Sequence, residues 1–243
     1  MRAILTYHSI DDSGSAISVP PDVFAEHVRW MSERHVAVVS LDALLAADAS
    51  PSDALAITFD DGFQNFAEAA ARLGDAGLPV TLFAVTGHVG GTNAWGGRVD
   101  AGIPTLPLLD WAGLERVVAR GVAIGAHTRT HAKLTTLSSA AIADEMDGCV
   151  AELRTRLGIS VSYLAYPYGA VSDHVAALAG TRFAAALTTR FATLGGEDRR
   201  MWIPRLDMYY LRRPGTLERW GTPGFARRIW AVRARRRLRE AIT

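Results

Sequence analysis

One cysteine, Cys149, is all that the 243 residues contain. No intramolecular disulfide can form, so a disulfide scaffold and a thiolate-rich zinc cage are both excluded, and a reducing compartment suits the chain. Lysine is as scarce: Lys133 stands alone among 26 basic residues, a bias that carries no functional argument by itself. No run approaches the ~20 apolar residues that a spanning helix needs. The opening, Met1-Arg2 and then 3–7, reaches His8, Asp11 and Asp12 without a small-residue cleavage site and does not read as a signal peptide. The expectation is a soluble, cytoplasmic protein. There is no Gly-x-Ser-x-Gly elbow, which argues against a serine-triad esterase. Internal repeats and low-complexity linkers are also missing.

What remains is the make-up of a globular domain. Apolar residues form 49% of the chain and charged residues 21%, which excludes a disordered or collagen-like protein. An α/β domain of this length buries roughly 70–75% of its unfolded surface. The net charge of +1 hides an asymmetry: 219–243 holds eight arginines against Glu240, a net of +7, so 1–218 carries −6.

Short apolar, β-rich runs alternate with helical patterns, the order of a parallel α/β sheet or barrel. Strands are expected at 3–7, 36–39, 55–59, 80–85, 122–125, 162–165 and 183–187, and helices at 21–34, 41–47, 63–76, 109–120, 138–157 and 171–179. Ser138 is placed to cap its helix with Leu137 and Ile142 as a hydrophobic staple, and Pro20-Pro21 precedes the first helix. The stretch 87–107, with six glycines, two prolines and no period, reads as a long loop of the functional or disordered kind. After about Arg212 the alternation stops, and Thr222-Pro223 opens a last helix that carries most of the excess positive charge.

Three clusters stand where such a fold puts its site, just past the carboxyl ends of strands. Thr58-Phe59-Asp60-Asp61-Gly62 follows an apolar run. Adjacent carboxylates repel unless a cation or a proton resolves them, so one Asp can hold a metal while the other acts as a base. The same residues also serve as a plain loop-and-cap sequence. His127 and His131, four apart, can present ring nitrogens to one point, and neutral imidazole suits Zn²⁺ and similar ions. With Asp61 they make two nitrogens and one oxygen, leaving a position for water, the pattern of a catalytic metal site. In Tyr166-Pro167-Tyr168-Gly169 a proline, an aromatic and a glycine shape a tight wall whose backbone N–H groups can face an oxyanion; alone, the segment is an ordinary turn.

In this order and at these separations the three clusters resemble the first three motifs of the polysaccharide deacetylase family, the NodB homology domain, over about residues 3–207. The resemblance implies a distorted (β/α) barrel of about seven strands that removes acetyl groups from N-acetyl, sometimes O-acetyl, sugars with a divalent metal, most commonly zinc. It makes Asp60 the general base, makes Asp61, His127 and His131 the ligands, and gives the Tyr168 backbone N–H the oxyanion. The chain then divides into a catalytic barrel, 1–218, and a basic helical tail, 219–243.

Two departures follow. Many members begin the third motif with an arginine that orients the base, and here that position is Ala165, as in a branch similar to the exopolysaccharide (poly-N-acetylglucosamine) deacetylases. Arg205 is the candidate substitute cation, or else an ordinary salt-bridge residue. The general acid is usually a late histidine, and no histidine follows His174. In the same branch the acid comes from the first strand, which assigns it to His8, with Asp207 as a carboxylate placed to orient it. Trp95 in the glycine-rich loop either stacks on a sugar or pins the loop, while His88 and His174 are read as structural. The main alternatives are deformylation or O-acetyl ester cleavage by the same machinery, and a carbohydrate-binding homologue without catalysis. In the tail, Phe225, Ile229 and Val232 share one face, which can lie on an anionic membrane surface, dock a partner or pack on the barrel. No nucleic-acid partner is expected.

Overall fold

A computed structural model describes residues 1–33, 36–46, 53–195 and 198–240. The strands are β1 (Arg2–Tyr7), β2 (Ser9–Ile10), β3 (Ser18–Val19), β4 (Ala37–Val38), β5 (Ala54–Phe59), β6 (Val80–Ala84), β7 (Ala123–Ala126), β8 (Tyr163–Ala165), β9 (Ala185–Phe191) and β10 (Ile203–Asp207). The helices are α1 (Pro21–Ser32), α2 (Leu41–Leu45), α3 (Phe66–Asp75), α4 (Trp111–Ala119), α5 (Ser139–Leu157), α6 (Asp173–Gly180) and α7 (Pro223–Glu240).

β1, β5 and β6 are buried almost end to end, and strands without a polar face need cover on both sides. They obtain it by closure. β1, β10, β9, β8, β7, β6 and β5 pair in that order, all parallel, and β5 pairs back to β1 from Arg2↔Ala54 to Tyr7↔Phe59. The result is a seven-stranded parallel barrel with flanking helices, as expected. Its membership differs from the sequence reading at two places. The strand expected at 36–39 is β4, an appendix beside the start of β5, and the seventh ring place belongs to β10. Pro204 hid β10, because a proline cannot donate to a ladder and demotes a run to an edge or a bulge. Here the register against β9 shifts between Ile203 and Arg205.

Two apolar clusters hold the barrel. The inner one joins Ile4, Ala56, Phe83, Ala165, Leu187 and Ile203, with Leu41 and Leu44 of α2 packed against it. The Arg2 guanidinium donates to the Leu44 carbonyl, which fixes α2 at the end where the strands begin. Phe83 needs Gly125 beside it: a Cβ there would stand 2.4 Å from the phenyl ring. The larger cluster lies between the strands and α1, α3, α4, α5 and α6. Ser138 Oγ accepts from Ala141 N at the start of α5, as its capping role requires. The helices expected at 21–34 and 41–47 are observed to Ser32 and Leu45; residues 34 and 47 lie outside the described residues.

α7 opens at Pro223, with Thr222 Oγ1 accepting from Phe225 N at 3.2 Å. Phe225 is buried in the outer cluster, Ile229 and Val232 pack against it, and Arg228 donates to the Tyr210 carbonyl at 2.7 Å. The face that the sequence offered to a membrane or a partner is thus spent on the barrel. Trp230 and Leu238 point outward instead, 72% and 65% exposed. Among the described residues no helix is long and apolar enough to cross a membrane.

Candidate active site

Parallel strands deliver their carboxyl ends to one rim, and the three motifs stand there with His8. The Asp60 N–H donates to the Tyr7 carbonyl at 3.0 Å, tying the end of β5 to that of β1. Among the described residues only four non-glycine residues have positive φ: Asp61 (72°), Thr128 (65°), His131 (59°) and Tyr168 (59°). Such backbone costs about 1–3 kcal/mol per residue and persists only where surrounding structure imposes it. All four belong to the motifs read from the sequence, and two of them carry the carboxylate and imidazole singled out as ligands.

Asp61, His127 and His131 are buried, and one ligand atom from each lies within 4.8 Å of the other two. Nε2 of His127 is 3.3 Å, and Nε2 of His131 3.4 Å, from Asp61 Oδ1. His127 Nδ1 lies 2.7 Å from the Ala165 carbonyl. A carbonyl only accepts, so Nδ1 holds the proton, and in the neutral ring Nε2 presents its lone pair to Asp61. Asp61 Oδ1 is buried without a hydrogen-bond partner. Acceptors facing one another around an orphaned oxygen call for a cation, and two imidazoles with one carboxylate suit a divalent one. Burial pushes the Asp61 carboxyl up, but when the facing rings carry protons the His127 hydrogen bond and the imidazole charges outweigh it, holding Asp61 well below the usual carboxylate range and raising His127. Burial also holds the His131 imidazole down to about 3, leaving it neutral as a ligand must be.

Asp60 is 2% exposed and bound by Arg205 through both oxygens, Nη1 to Oδ1 at 2.8 Å and Nη2 to Oδ2 at 2.7 Å. The guanidinium is itself buried; its Nε donates to the Thr188 carbonyl at 3.1 Å, and its centre lies 5.8 Å over the Phe83 ring. Burial works to raise the Asp60 carboxyl, and the charges of Arg205 first and then His127 hold it below its ordinary value, so it stays ionised. His8 Nε2 stands 3.8 Å from Asp60 Oδ2 across the rim.

The span 47–184, more than half of the chain, matches the family described as polysaccharide deacetylase. The chain belongs to the polysaccharide deacetylase family. No curated protein matches it at a significant level. Among solved structures, a polysaccharide deacetylase from Bacillus cereus aligns with a TM-score of 0.70 at 22% identity, covering 85% of this chain. The chain spans 64% of that protein's length. The Streptococcus pyogenes deacetylase PplD, solved in complex with acetate, aligns with a TM-score of 0.70 at 21% identity over 84% of this chain and 91% of its own. IcaB from Ammonifex degensii gives 0.69 at 23% identity, over 84% and 90%. At these identities the likeness is one of fold.

For this polysaccharide deacetylase domain, Ala165 has a structural counterpart. The small side chain belongs to the inner cluster with Phe83, and Arg205, two strands further round the ring, reaches over the same phenyl to the aspartate. Tyr168 and Trp95 bracket His131, with ring centroids 4.7 and 4.4 Å away. Together with His8, Asp60 and Asp61 these rings bound a cavity of about 130 Å³. Trp95 also meets His88 edge-on at 4.9 Å. Pro167 is buried beneath the turn, and Gly169 has φ +67° where a Cβ would stand 2.1 Å from Thr189 Oγ1. His174 lies away from the cavity and hydrogen-bonds Ser139 Oγ at 2.9 Å. Asp207 and His8 are not joined by a hydrogen bond; the Asp207 carboxylate accepts from Tyr209 N at 3.0 Å.

One residue escaped the sequence reading. Glu145 of α5 accepts from Arg129 N at 2.9 Å, Thr130 N at 2.8 Å and Thr130 Oγ1 at 2.6 Å. It therefore pins the two residues between Thr128 and His131, and with them the strained backbone that aims the second imidazole. A glutamate four residues ahead of the buried Cys149 on a helix carries no signal of this in the sequence; only the fold brings α5 against the His127–His131 turn.

Proposed function

We propose that the chain is a metal-dependent hydrolase that removes the N-acetyl group from an acetamido sugar. One observation carries the reading: a strained, buried Asp61-His127-His131 cradle lies beside an aspartate kept ionised by a buried arginine. Asp61, His127 and His131 would hold a divalent cation, zinc suiting this donor set, which would supply Lewis acidity toward the amide carbonyl and a water.

The chain's own groups complete the hydrolysis. Asp60 accepts the proton of the attacking water through an oxygen that Arg205 has already oriented. The Tyr168 backbone N–H faces the carbonyl oxygen as negative charge grows on it. His8 Nε2 donates a proton to the departing amine nitrogen as the C–N bond breaks, so the products are acetate and an amino sugar. Trp95 and Tyr168 form the wall against which the sugar lies; Pro167, expected there from the sequence, is buried behind the turn and does not line the cavity. Geometry supports the division of roles: His8 and Asp60 stand 3.8 Å apart on the rim, one able to give a proton and the other to take it.

Acetate release from an N-acetylglucosamine tetramer, assayed with and without chelator and with Asp60→Asn as control, tests the proposal. Metal-dependent release that Asp60→Asn cuts to a small residual rate is expected. Formate release from an N-formyl substrate or acetate from an O-acetyl ester alone would move the assignment to deformylation or ester cleavage, and tight sugar binding without turnover would leave a carbohydrate-binding homologue. For 219–243 the outward face of α7 favours a peripheral contact with an anionic bilayer: Trp230 and Leu238 are exposed beside Arg233, a pairing suited to the interface. Co-sedimentation with anionic vesicles that Trp230→Glu leaves unchanged would remove this contact.

A further inference from the structure

Behind the Tyr168-Gly169 turn lies a second hollow, of about 310 Å³, lined among others by Gly169, Thr189, Arg190, Trp202, Arg233 and Arg236. Thr189 also lines the catalytic cavity, and Gly169 is pressed against it, so the two hollows meet at Thr189. The second one is rich in unmatched donors. Arg190 is neutralised by its ion pair with Asp198. Arg233 and Arg236 have no carboxylate partner among the described residues; the Arg236 guanidinium lies 5.4 Å over the Tyr210 ring. The indole N–H of Trp202 is buried without an acceptor. Among the described acids, the Asp207 carboxylate interacts electrostatically with Arg236 without a hydrogen bond between them; burial raises its carboxyl and the charges of His8, Arg236 and Arg205 act against that rise. Two guanidinium groups and an indole N–H that have no hydrogen-bond acceptor among the described residues describe a site for an anion with several oxygens, which guanidinium forks bind best.

We propose that this hollow is a phosphate subsite, and that the acetamido sugar processed at the neighbouring cavity is carried on a phosphate or diphosphate. The inference rests on the N-deacetylase reading and names its substrate class. Two sources share this chemistry, a soluble nucleoside-diphosphate sugar and a lipid-linked glycosyl phosphate. α7 supplies both unmatched arginines, which gives the basic tail a part in substrate selection and places it at the mouth of the barrel.

The test compares kcat/KM for acetate release by the metal-loaded full chain on four probes: N-acetylglucosamine 1-phosphate, a nucleoside-diphosphate N-acetylglucosamine, a short-chain polyprenyl-diphosphate N-acetylglucosamine and the neutral tetramer. Phosphate-bearing probes are expected to exceed the neutral one. Losing a hydrogen-bonded charge contact of about 1.5–3 kcal/mol corresponds to a fall of roughly 10- to 150-fold. Arg233→Gln and Arg236→Gln should each lower kcat/KM by that factor for phosphate-bearing probes, mostly through KM, and leave the tetramer unchanged. Arg235→Gln, an exposed change on the same helix outside the hollow, should alter neither and separates a built site from general attraction to a basic helix. Which phosphate-bearing probe leads distinguishes the soluble source from the lipid-linked one. Equal turnover of all probes, unaffected by Arg233→Gln, overturns the subsite while the deacetylase reading stands. If no probe releases acetate the deacetylase reading falls, and titration of wild-type and the Arg233→Gln Arg236→Gln double variant with N-acetylglucosamine 1-phosphate decides the subsite alone: binding lost in the variant supports it, and no binding by wild-type overturns it.

Discussion

Replacing Arg205 by alanine isolates the interaction on which Asp60, the proposed base, depends. The side chain makes two short contacts to Asp60, one to the Thr188 carbonyl, and is 2% exposed, as is Asp60. Truncation leaves a carboxylate in the wall of the barrel with its cation gone, and breaking one partner of a buried ion pair costs about 3–5 kcal/mol. In a chain of this size each kcal/mol moves the melting temperature by about 2–4 °C, so Arg205→Ala should melt roughly 6–20 °C lower. Arg205→Lys keeps the charge but not the fork and should fall between the two. Turnover adds an independent reading. If Arg205 acts through Asp60, the double variant Asp60→Asn Arg205→Ala should be no slower than Asp60→Asn alone, because residues that work as a unit are not additive. Melting curves and acetate release on wild-type and the four variants suffice. An Arg205→Ala protein with wild-type melting and turnover, or two losses that multiply, would refute the reasoning.

Glu145→Gln should weaken zinc binding by roughly 10- to 100-fold, the usual effect of losing a group that orients a ligand, while far-ultraviolet circular dichroism stays unchanged; competition with a chromophoric chelator measures it, and an unaltered affinity would show that the His131 turn holds itself. Gly169→Ala meets both a left-handed φ and a 2.1 Å approach to Thr189, so the third motif must move and kcat/KM should drop at least about tenfold; full activity would place the oxyanion elsewhere. His27 is buried with Nδ1 3.0 Å from the Tyr7 hydroxyl, and burial holds its imidazole down to about 4. The unfolded chain takes up that proton near pH 6.5. Between about pH 6.5 and 4 the unfolded state therefore binds more protons, and stability declines as pH falls, by about 3 kcal/mol from this group. His27→Gln should flatten the melting-temperature profile across that window, and a slope as steep as wild-type would mean other groups govern it.

Much of this was readable because the motifs are short and local. Asp60-Asp61, His127-x-x-x-His131 and Tyr166-Pro167-Tyr168-Gly169 each sit on one strand end, where a run of apolar residues announces the strand and the next polar residue announces the rim. β10 was illegible as a strand because Pro204 breaks the pattern that marks one. Yet Ile203-Pro204-Arg205-Leu206-Asp207 still drew notice through its arginine, since the sequence lacks a cation at Ala165. The hold of Glu145 on the His131 turn left no trace at all: it depends on how a helix docks, not on spacing. The tail leaves three readings open, and the structure selects one of them. Phe225, Ile229 and Val232 do form a face, but periodicity cannot say whether barrel or bilayer covers it, and the barrel does.

The ring closes between the first strand and the last, Leu5 beside Leu206. His8 enters the chain at its beginning and Arg205 near its end, and the contact that steadies Asp60 joins residues 145 positions apart. Loops of that span are slow to close. Until β10 docks, Asp60 has no cation and the barrel no seal. Where β10 docks last, regain of the proposed acetate release during refolding should therefore lag behind regain of helix signal.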